Sequence, residues 1–472
     1  MSSTTLQRPA GPLRSKSASS FAEAFSTARH KVDKDIKNLG DVDEKPSPGT
    51  ESAVPGLSDS GDSTPSSAAT PLTRPVSPIP NQTVADDFAY AFDIDGVLIR
   101  GGDPIPEAIE AMRVLNGENE YGIRVPYIFL TNGGGKSEEE RCGDLSKQLE
   151  LEVSPGQFIC GHTPMREMAN KYRTVLVVGG EGEKCRQVAE TYGFKDVVTP
   201  GDILKANHHT APFRKLSDLD YKNSRNLLER GDLKDIVIEA IFVFADSRDW
   251  ASDLQIILDI ACSQGGRLET RSATFDESPP IYFSHNDVVW SAGHEHPRLG
   301  MGALRQIVES TFSNVTGGKK LKTHAFGKPQ VSTFEFATRL LQQWRAQQHG
   351  LVDSKPPKTV YFVGDTPESD IRGTNAMDAK SEEEWYSILV KTGVYQDGTV
   401  PAYKPRATVT NVLDAVNHGI KREMERRKAA EEGLTLPDSL AFKAQTASKE
   451  PVIANDEGLI SDDGLAMGVM VG

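Results

Sequence analysis

The sequence has few cysteines and no long apolar run. Its four cysteines, Cys142, Cys160, Cys185 and Cys262, are widely spaced in a chain of 472 residues. Zinc knuckles and disulfide frameworks need closely or regularly spaced cysteines, so neither is predicted, and a reducing compartment is favoured. No uninterrupted apolar stretch approaches the roughly 18 residues of a membrane span, so no transmembrane helix is expected.

The chain also lacks an excess of basic residues. It has 53 Lys and Arg against 67 Asp and Glu, a net charge of −14. Proteins that wrap nucleic acid neutralise phosphates with basic side chains, so this balance argues against a nucleic-acid partner. Hydrophobic residues make up 37%, and there are 41 glycines and 28 prolines. Because this composition is more polar than that of an average globular chain, part of the sequence is not expected to fold.

Both ends of the chain differ from its middle. Residues 1–85 are predicted to form a disordered tail and linker, rich in Ser and Pro. The basic, acid-free stretch at 1–22 is compatible with a mitochondrial transit peptide or with a plain disordered tail, and composition leaves both open. Residues 426–472 are predicted to be a polar C-terminal tail.

Between these ends, strand-like apolar runs alternate with helical stretches. This alternation predicts an α/β protein with doubly wound parallel sheets covered by helices. The clearest strands are predicted at 88–92, 125–130, 174–178, 237–244, 359–363 and 388–390.

The most informative segment is Asp93-Ile94-Asp95-Gly96, directly after the first predicted strand. Carboxylates two residues apart on an extended chain face the same way, here at the sheet edge where α/β proteins bind ligands. Two close carboxylates repel when both are ionised, so either a cation lies between them or one stays protonated. An acidic turn closed by Gly96 would give the same pattern, so other segments must decide.

Three further segments favour a phosphate and metal site. Thr131-Asn132-Gly133 follows a second apolar strand, and a hydroxyl with glycine-freed N–H groups suits phosphate oxygens. Lys328, in the sequence FGKP, supplies a point charge. Asp365 and Asp370 follow the strand at 359–363. Hard oxygen ligands of this kind favour Mg²⁺, which often bridges carboxylates to phosphate.

In this order, the segments DxDGVL, TN, GKP and GDxxxxD resemble the four motifs of the haloacid dehalogenase superfamily. Residues 101–108 and 388–393 are similar to its subfamily IIA, which carries a large C2-type cap. Residues 246–250 and 296–303 resemble the mitochondrial cat-eye-syndrome critical-region hydrolase branch of that subfamily. The resemblance covers about residues 86–425.

The resemblance implies a fold and a location. It implies a Rossmann-like core made of residues 86–170 and 284–425, with an α/β cap domain inserted at 171–283. Members of this branch are associated with mitochondria and with glycerophospholipid metabolism.

The resemblance further implies a Mg²⁺-dependent phosphatase of a small phosphate monoester. Asp93 would be the nucleophile that forms an aspartyl phosphate, and Asp95 would be the general acid and base. Since members that break carbon–halogen bonds lack an acid at the position of Asp95, phosphate transfer is favoured. The implied catalytic residues are Asp93, Asp95, Thr131 and Lys328; the phosphate-binding residues are Thr131, Asn132, Gly133 and Lys328; the metal ligands are Asp93, Asp95 through its carbonyl, Asp365 and Asp370.

The substrate stays open beyond a small phosphorylated metabolite, and no oligomeric state is predicted. The segment Ser284-His285-Asn286-Asp287 departs from the family pattern at the return hinge of the cap, and residues 205–235 resemble a polar insertion in the cap. The alternative function is a catalytically weak scaffold or binding protein that acts through its tails. An intact metal site without phosphate release would indicate that alternative.

Two cap segments carry weaker hypotheses. Residues 179–182, GGEG, are similar to a dinucleotide-binding turn, but Cys185 takes the place of the third glycine, so a plain tight turn is favoured. Asp249, Trp250 and Arg298 are candidates for lining a pocket. Core packing of Trp250 and surface pairing of Arg298 are the alternatives.

Overall fold

A computed structural model describes residues 83–352 and 355–433. The chain divides into two compact units, Met1–Arg74 and Pro75–Gly472, and every described residue lies in the second. The predicted transit peptide, most of the predicted linker and residues 434–472 of the predicted tail lie outside the described residues. Among the helices that the structure describes, each is too short or too polar to cross a membrane.

Strands and helices alternate along the described chain. The strands are β1 (Thr83–Val84), β2 (Phe88–Phe92), β3 (Ile99–Arg100), β4 (Asp103–Pro104), β5 (Ile123–Arg124), β6 (Tyr127–Leu130), β7 (Phe158–Ile159), β8 (Thr174–Val178), β9 (Asp196–Val198), β10 (Ala240–Val243), β11 (Ile281–Phe283), β12 (Val289–Trp290), β13 (Arg298–Leu299), β14 (Thr323–Ala325), β15 (Thr359–Gly364), β16 (Glu384–Val390) and β17 (Ala407–Val409). The α-helices are α1 (Pro106–Leu115), α2 (Glu138–Gln148), α3 (Lys184–Thr191), α4 (Pro200–Ala206), α5 (Asp218–Asn223), α6 (Trp250–Ala261), α7 (Met301–Val315), α8 (Val331–His349), α9 (Arg372–Lys380) and α10 (Val412–Glu431).

The larger sheet forms the core and has six parallel strands in the order β17-β16-β15-β2-β6-β7. Side chains of β2 alternate between its two faces. Phe88, Tyr90 and Phe92 join an apolar cluster with α1 and α10, whereas Ala89 and Ala91 join a second cluster with α8. Because helices cover both faces, the strand is apolar at every position.

The second sheet forms the cap and has five parallel strands in the order β14-β11-β10-β8-β9. It is covered in the same way. Leu176 and Val178 of β8 pack with α6 and α7, whereas Val175 and Val177 pack with α3 on the other face. The predicted α/β class with doubly wound parallel sheets and a second α/β layer is therefore confirmed.

The cap domain extends past its predicted end at residue 283. Strand β14 (Thr323–Ala325) pairs in parallel with β11, and Met301 and Leu304 of α7 lie in the cap's apolar cluster. The segment up to Ala325 therefore belongs to the cap and not, as predicted, to the second part of the core. Strand β14 was not predicted because it is only three residues long and contains Thr and His.

Both ends of the folded body extend past the predicted limits. Strand β1 pairs with β5, and Ala85 is buried, so the tail predicted at 1–85 ends earlier. At the other end, α10 continues to Glu431 although a tail was predicted from residue 426. Arg427 forms an ion pair with Asp87 of the folded body, and Ala429 is buried. Contacts with the core thus stabilise helical turns whose own sequence is polar.

The predicted strands differ from the observed ones mainly at their ends. Those at 88–92 and 174–178 coincide with β2 and β8. Strand β16 begins at Glu384, four residues before its prediction, because basic side chains from the last helix pair with this buried acid. A charged residue inside a strand is invisible to a search for apolar runs.

Candidate active site

The carboxyl ends of three neighbouring core strands form the candidate active site. Strands β15, β2 and β6 lie side by side in parallel. Each is followed at once by a residue that the sequence analysis singled out: Asp365, Asp93 and Thr131 respectively. Parallel pairing therefore brings the three to one edge of the sheet, where open α/β sheets bind ligands.

Lys328 joins acidic side chains that come from two of these strand ends. Its Nζ lies 2.8 Å from Oδ1 of Asp93 and 2.8 Å from Oδ1 of Asp370. One oxygen each of Asp93, Asp365 and Asp370 lies within 4.8 Å of the others. All four side chains are buried, so the cluster holds three carboxylates and one ammonium group, which contacts two of them.

Backbone groups hold the two acids that follow β15. Asp370 Oδ2 accepts hydrogen bonds from the N–H groups of Asp365 and Thr366, both at 3.0 Å. Asp365 Oδ2 accepts the N–H of Val394 at 2.7 Å. Gly96 has a φ of 90°, and a Cβ there would lie 2.3 Å from the Asp365 carboxylate. Glycine at position 96 therefore leaves the space that Asp365 occupies.

The side chain of Asn132 is buried and fully engaged by the protein. Its Oδ1 accepts the Lys328 N–H at 2.8 Å. Its Nδ2 donates to the Lys328 carbonyl at 3.0 Å and to Asp287 Oδ2 at 2.8 Å. The sequence analysis placed Asn132 among the phosphate-binding residues, whereas in the structure its amide holds the Lys328 segment in place.

Thr131, Gly133 and Asp95 meet next to Asp93. Thr131 Oγ1 accepts the Gly133 N–H at 3.0 Å. A Cβ at Gly133 would lie 3.3 Å from Asp95 Oδ2 and 3.4 Å from Thr131 Oγ1. Asp93 and Asp95 line the same cavity, as expected for side chains two residues apart on an extended segment.

Burial and like charge shift the pKa values of this cluster. Burial raises the pKa of Asp93 to about 7, opposed by Lys328 and reinforced by Asp370. Burial, Asp370 and Asp93 raise the pKa of Asp365 well above its ordinary value. Burial lowers the pKa of Lys328, but the neighbouring acids Asp370 and Asp93 raise it more, so the pKa lies above its ordinary value. Excess buried negative charge presented on oxygen atoms fits a divalent cation such as Mg²⁺.

Two residues that the sequence analysis did not assign, His285 and Asp287, also line the cavity. His285 Nε2 lies 3.8 Å from Asp246 Oδ2, and its Nδ1 lies 3.7 Å from Asp287 Oδ2. Burial opposes a charged imidazole, but Asp246 and Asp287 raise the pKa of His285 overall. The segment at 284–287 departs from the family pattern, so its sequence indicated no role for Asp287. The contact between Asp287 and Asn132 is seen only in the folded structure.

The cavity above the acids has a volume of about 270 Å³. This lies just below the usual range for ligand pockets, about 300–1,000 Å³, and suits a small molecule. Trp290, from the hairpin of β12 and β13, forms part of its outer wall. Four basic side chains also line it: Lys136, Arg141, Lys184 and Arg248.

The weaker pocket candidates lie outside this cavity. The Asp249 carboxylate accepts the Ser252 N–H at 3.4 Å and caps α6. Trp250 packs against the apolar cluster of the cap. Arg298 is exposed on β13. None of the three predicted residues therefore lines the cavity that contains Asp93.

A second group with metal-ligand chemistry, Glu138, Cys160 and His162, lies beside the site. The Cys160 sulfur is 3.5 Å from Nδ1 and 3.4 Å from Nε2 of His162, so it lies against the ring face, where no nitrogen lone pair points. The Tyr192 hydroxyl is 2.8 Å from Nδ1 and donates to Glu138 at 2.6 Å. Burial raises the pKa of Cys160 to about 12 and lowers that of His162 to about 4. We interpret this group as a hydrogen-bond network between core and cap.

The sequence comparisons agree with this architecture. Residues 90–195 match the family described as haloacid dehalogenase-like hydrolase, and residues 325–415 match a second, HAD-hydrolase-like family. A mitochondrial hydrolase of Saccharomyces cerevisiae is 39% identical over 362 residues, which cover 72% of this chain and 97% of the relative. The chain belongs to the haloacid dehalogenase-like hydrolases.

A longer relative combines such a hydrolase with another enzyme. The cardiolipin synthase (CMP-forming)/mitochondrial hydrolase fusion protein of Schizosaccharomyces pombe is 37% identical over 346 residues, which cover 72% of this chain. The match spans only 54% of the fusion protein's length.

Solved structures with a similar fold include two phosphatases. One is a p-nitrophenyl phosphatase from Archaeoglobus fulgidus, with 19% identity, a TM-score of 0.44, and coverage of 71% of this chain and 100% of the other. The other is a glycerol phosphate phosphatase from Mycobacterium tuberculosis in complex with magnesium, with 15% identity, a TM-score of 0.43, and coverage of 70% and 76%.

Proposed function

We propose that this hydrolase is a Mg²⁺-dependent phosphatase of small phosphate monoesters that works through an aspartyl phosphate on Asp93. The observation that carries the proposal is the buried cluster in which Lys328 lies 2.8 Å from both Asp93 and Asp370. Such a cluster offers a nucleophilic carboxylate next to a fixed positive charge. A phosphoryl group, with its negative oxygens, matches that combination.

In the proposed first step, the Asp93 carboxylate attacks phosphorus and the ester P–O bond breaks. Asp95 gives a proton to the departing alkoxide, so the leaving group departs as an alcohol. In the second step, Asp95 takes a proton from water, the water oxygen attacks phosphorus, and the acyl–phosphate bond breaks. Inorganic phosphate leaves and the Asp93 carboxylate is restored.

Thr131 and the N–H groups around Gly133 would hold the transferring phosphoryl oxygens, and Lys328 would neutralise their charge. Asn132 acts in this proposal as a positioning residue, because its amide is engaged by Lys328 and Asp287. This differs from the phosphate-binding role that the family resemblance implied.

Asp93, Asp365, Asp370 and the backbone carbonyl of Asp95 would hold Mg²⁺. When bound, the ion supplies positive charge that offsets the phosphoryl oxygens and the surplus carboxylates. The donor set supports this assignment, since the buried side-chain oxygens of three carboxylates lie within 4.8 Å of one another.

We further propose that the protein acts in mitochondria on an intermediate of glycerophospholipid metabolism. Two relatives above 35% identity support the location, because both are named as mitochondrial hydrolases. The fusion of one relative to a cardiolipin synthase supports the metabolic link.

Phosphate release from a panel of phosphate monoesters, with Mg²⁺ or with EDTA, tests the proposal on the full chain. We expect Mg²⁺-dependent turnover that falls at least about 1,000-fold in Asp93→Asn, because the nucleophile is lost. Asp103→Asn is the matched control, since Asp103 is exposed and outside the cavity.

Unchanged turnover in Asp93→Asn would exclude the aspartyl-phosphate mechanism. Binding of Mg²⁺ without phosphate release from any ester would instead favour the scaffold function.

A further inference from the structure

Four basic side chains line the cavity that contains Asp93. Lys136 and Arg141 come from the core, and Lys184 and Arg248 come from the cap. A leaving group attached to a phosphoryl at Asp93 would occupy this same cavity. The charge partners of these four residues therefore indicate what the leaving group carries.

The two lysines are already paired. Lys136 Nζ lies 2.5 Å from Asp144. Lys184 Nζ lies 3.3 Å from Glu181 and 3.6 Å from Glu140. Their positive charge is thus largely offset within the protein.

The two arginines differ from the lysines in their lack of a nearby acidic partner. Neither Arg141 nor Arg248 has an acidic side chain within 4 Å among residues 83–352 and 355–433. Arg248 donates only to the backbone carbonyl of Asp246, at 2.9 Å. Arg141 is half-buried on α2. Arg141 from the core and Arg248 from the cap thus line the same cavity as Asp93 and Asp95.

Building on the proposed phosphatase function, we propose that Arg141 and Arg248 bind a second anionic group carried by the leaving group. The preferred substrates are then phosphate monoesters that bear a carboxylate or a second phosphate. Guanidinium groups bind both oxyanions through paired, charge-assisted hydrogen bonds. Since one arginine belongs to each domain, such a substrate would also bridge core and cap.

Matched substrate pairs test this selectivity on the full chain with Mg²⁺. 3-Phosphoglycerate and glycerol 3-phosphate differ only in the carboxylate, and 1,3-propanediol bisphosphate and 3-hydroxypropyl phosphate differ only in the second phosphate. We expect kcat/KM to be at least about tenfold higher for the more anionic member of at least one pair. The pair with the larger ratio distinguishes a carboxylate from a phosphate subsite.

Arg141→Gln should reduce that ratio to within about threefold of unity, and Arg248→Gln should reduce it partially, since Arg248 is exposed. Lys147→Gln is the matched control, because it removes one positive charge from an exposed position of the same helix outside the cavity. It should leave the ratio unchanged. An equal loss on both members of each pair in Arg141→Gln would overturn the proposal and assign Arg141 to Asp95 instead.

Binding of inert analogues separates failure of the subsite from failure of the proposed function. Calorimetric titration with phosphonoacetate and with ethylphosphonate needs no turnover. A preference for phosphonoacetate that Arg141→Gln abolishes, without phosphate release from any ester, would support the subsite and refute the phosphatase. Equal affinity for the two analogues in the wild type, with turnover intact, would refute the subsite alone.

Discussion

The core and the cap both bury charged side chains at the carboxyl side of a parallel sheet. The two sites differ in their numbers of acidic and basic groups. In the core, two buried carboxylates contact Lys328 and a third carboxylate lies within 4.8 Å of them. In the cap, buried Arg186 meets buried Asp202 at 2.6 Å and donates to Thr199 at 2.8 Å. The remaining Asp202 oxygen accepts the Thr199 N–H at 3.0 Å. Among its fully buried side chains the cap pairs one acid with one base, and the half-buried Glu183 is a second partner of Arg186. The core cluster instead holds three buried acids and one buried lysine.

The difference in charge balance gives a way to distinguish buried charges that stabilise the fold from buried charges that bind another charged species. A buried pair whose charges and hydrogen bonds are satisfied holds neighbouring elements together and needs no further ion. A buried cluster with surplus charge of one sign is costly in itself, so it marks a place where another charged species completes the site. The three predictions below, in decreasing order of expected effect, test this distinction.

Lys328→Met should have the largest effect, because it removes the ammonium group that contacts two of the three clustered, buried carboxylates. We expect phosphate release to fall at least about 1,000-fold and the free energy of unfolding in EDTA to fall by about 3–5 kcal/mol. Adding Mg²⁺ should recover part of the lost stability. Chemical denaturation with and without Mg²⁺ measures this, and stability unaffected by Lys328→Met would show that the acids are protonated and neutral.

Arg186→Met should break the buried ion pair with Asp202 in the cap, together with the contact to half-buried Glu183. We expect the free energy of unfolding to fall by about 3–5 kcal/mol, because Asp202 is left buried without its partner. Unlike Lys328→Met, this loss should be the same in EDTA and in Mg²⁺. A loss that Mg²⁺ restores would contradict the structural role assigned to the pair.

Asp253→Asn should act in the opposite direction and by the smallest amount. Burial raises the pKa of Asp253, on cap helix α6, to about 6 from its ordinary 3.8. The folded chain then holds a proton that the unfolded chain releases, so stability falls as the pH rises from about 4 to about 6 and stays lower above it. The neutral Asn should therefore stabilise the protein at pH 7 by up to about 3 kcal/mol.

Melting temperatures of wild type and Asp253→Asn between pH 4 and pH 8 measure this difference. The two curves should approach each other toward pH 4, where Asp253 is protonated in the folded chain and partly protonated in the unfolded chain. A constant difference at every pH would point to packing and not to ionisation.

The residues within each motif were predictable from the sequence because local geometry places them. Asp93 and Asp95 lie two apart on an extended segment after an apolar strand, and they line one cavity as that spacing requires. The alternation of apolar runs likewise predicted both parallel sheets. The ends of β14 and α10 were not predictable, because a three-residue strand and a polar last turn are stabilised by contacts with distant segments.

The fold class, the succession of strands and helices along the chain, and the polar residues that follow β2, β6 and β15 could be read from the sequence, since each depends on neighbours along the chain. Only the tertiary structure decided which distant groups meet them. Asp287 contacts Asn132 across 155 positions of the chain, and Arg141 reaches the same cavity from α2. These long-range contacts depend on how all the strands and helices pack together, and the spacing of residues along the chain does not determine them.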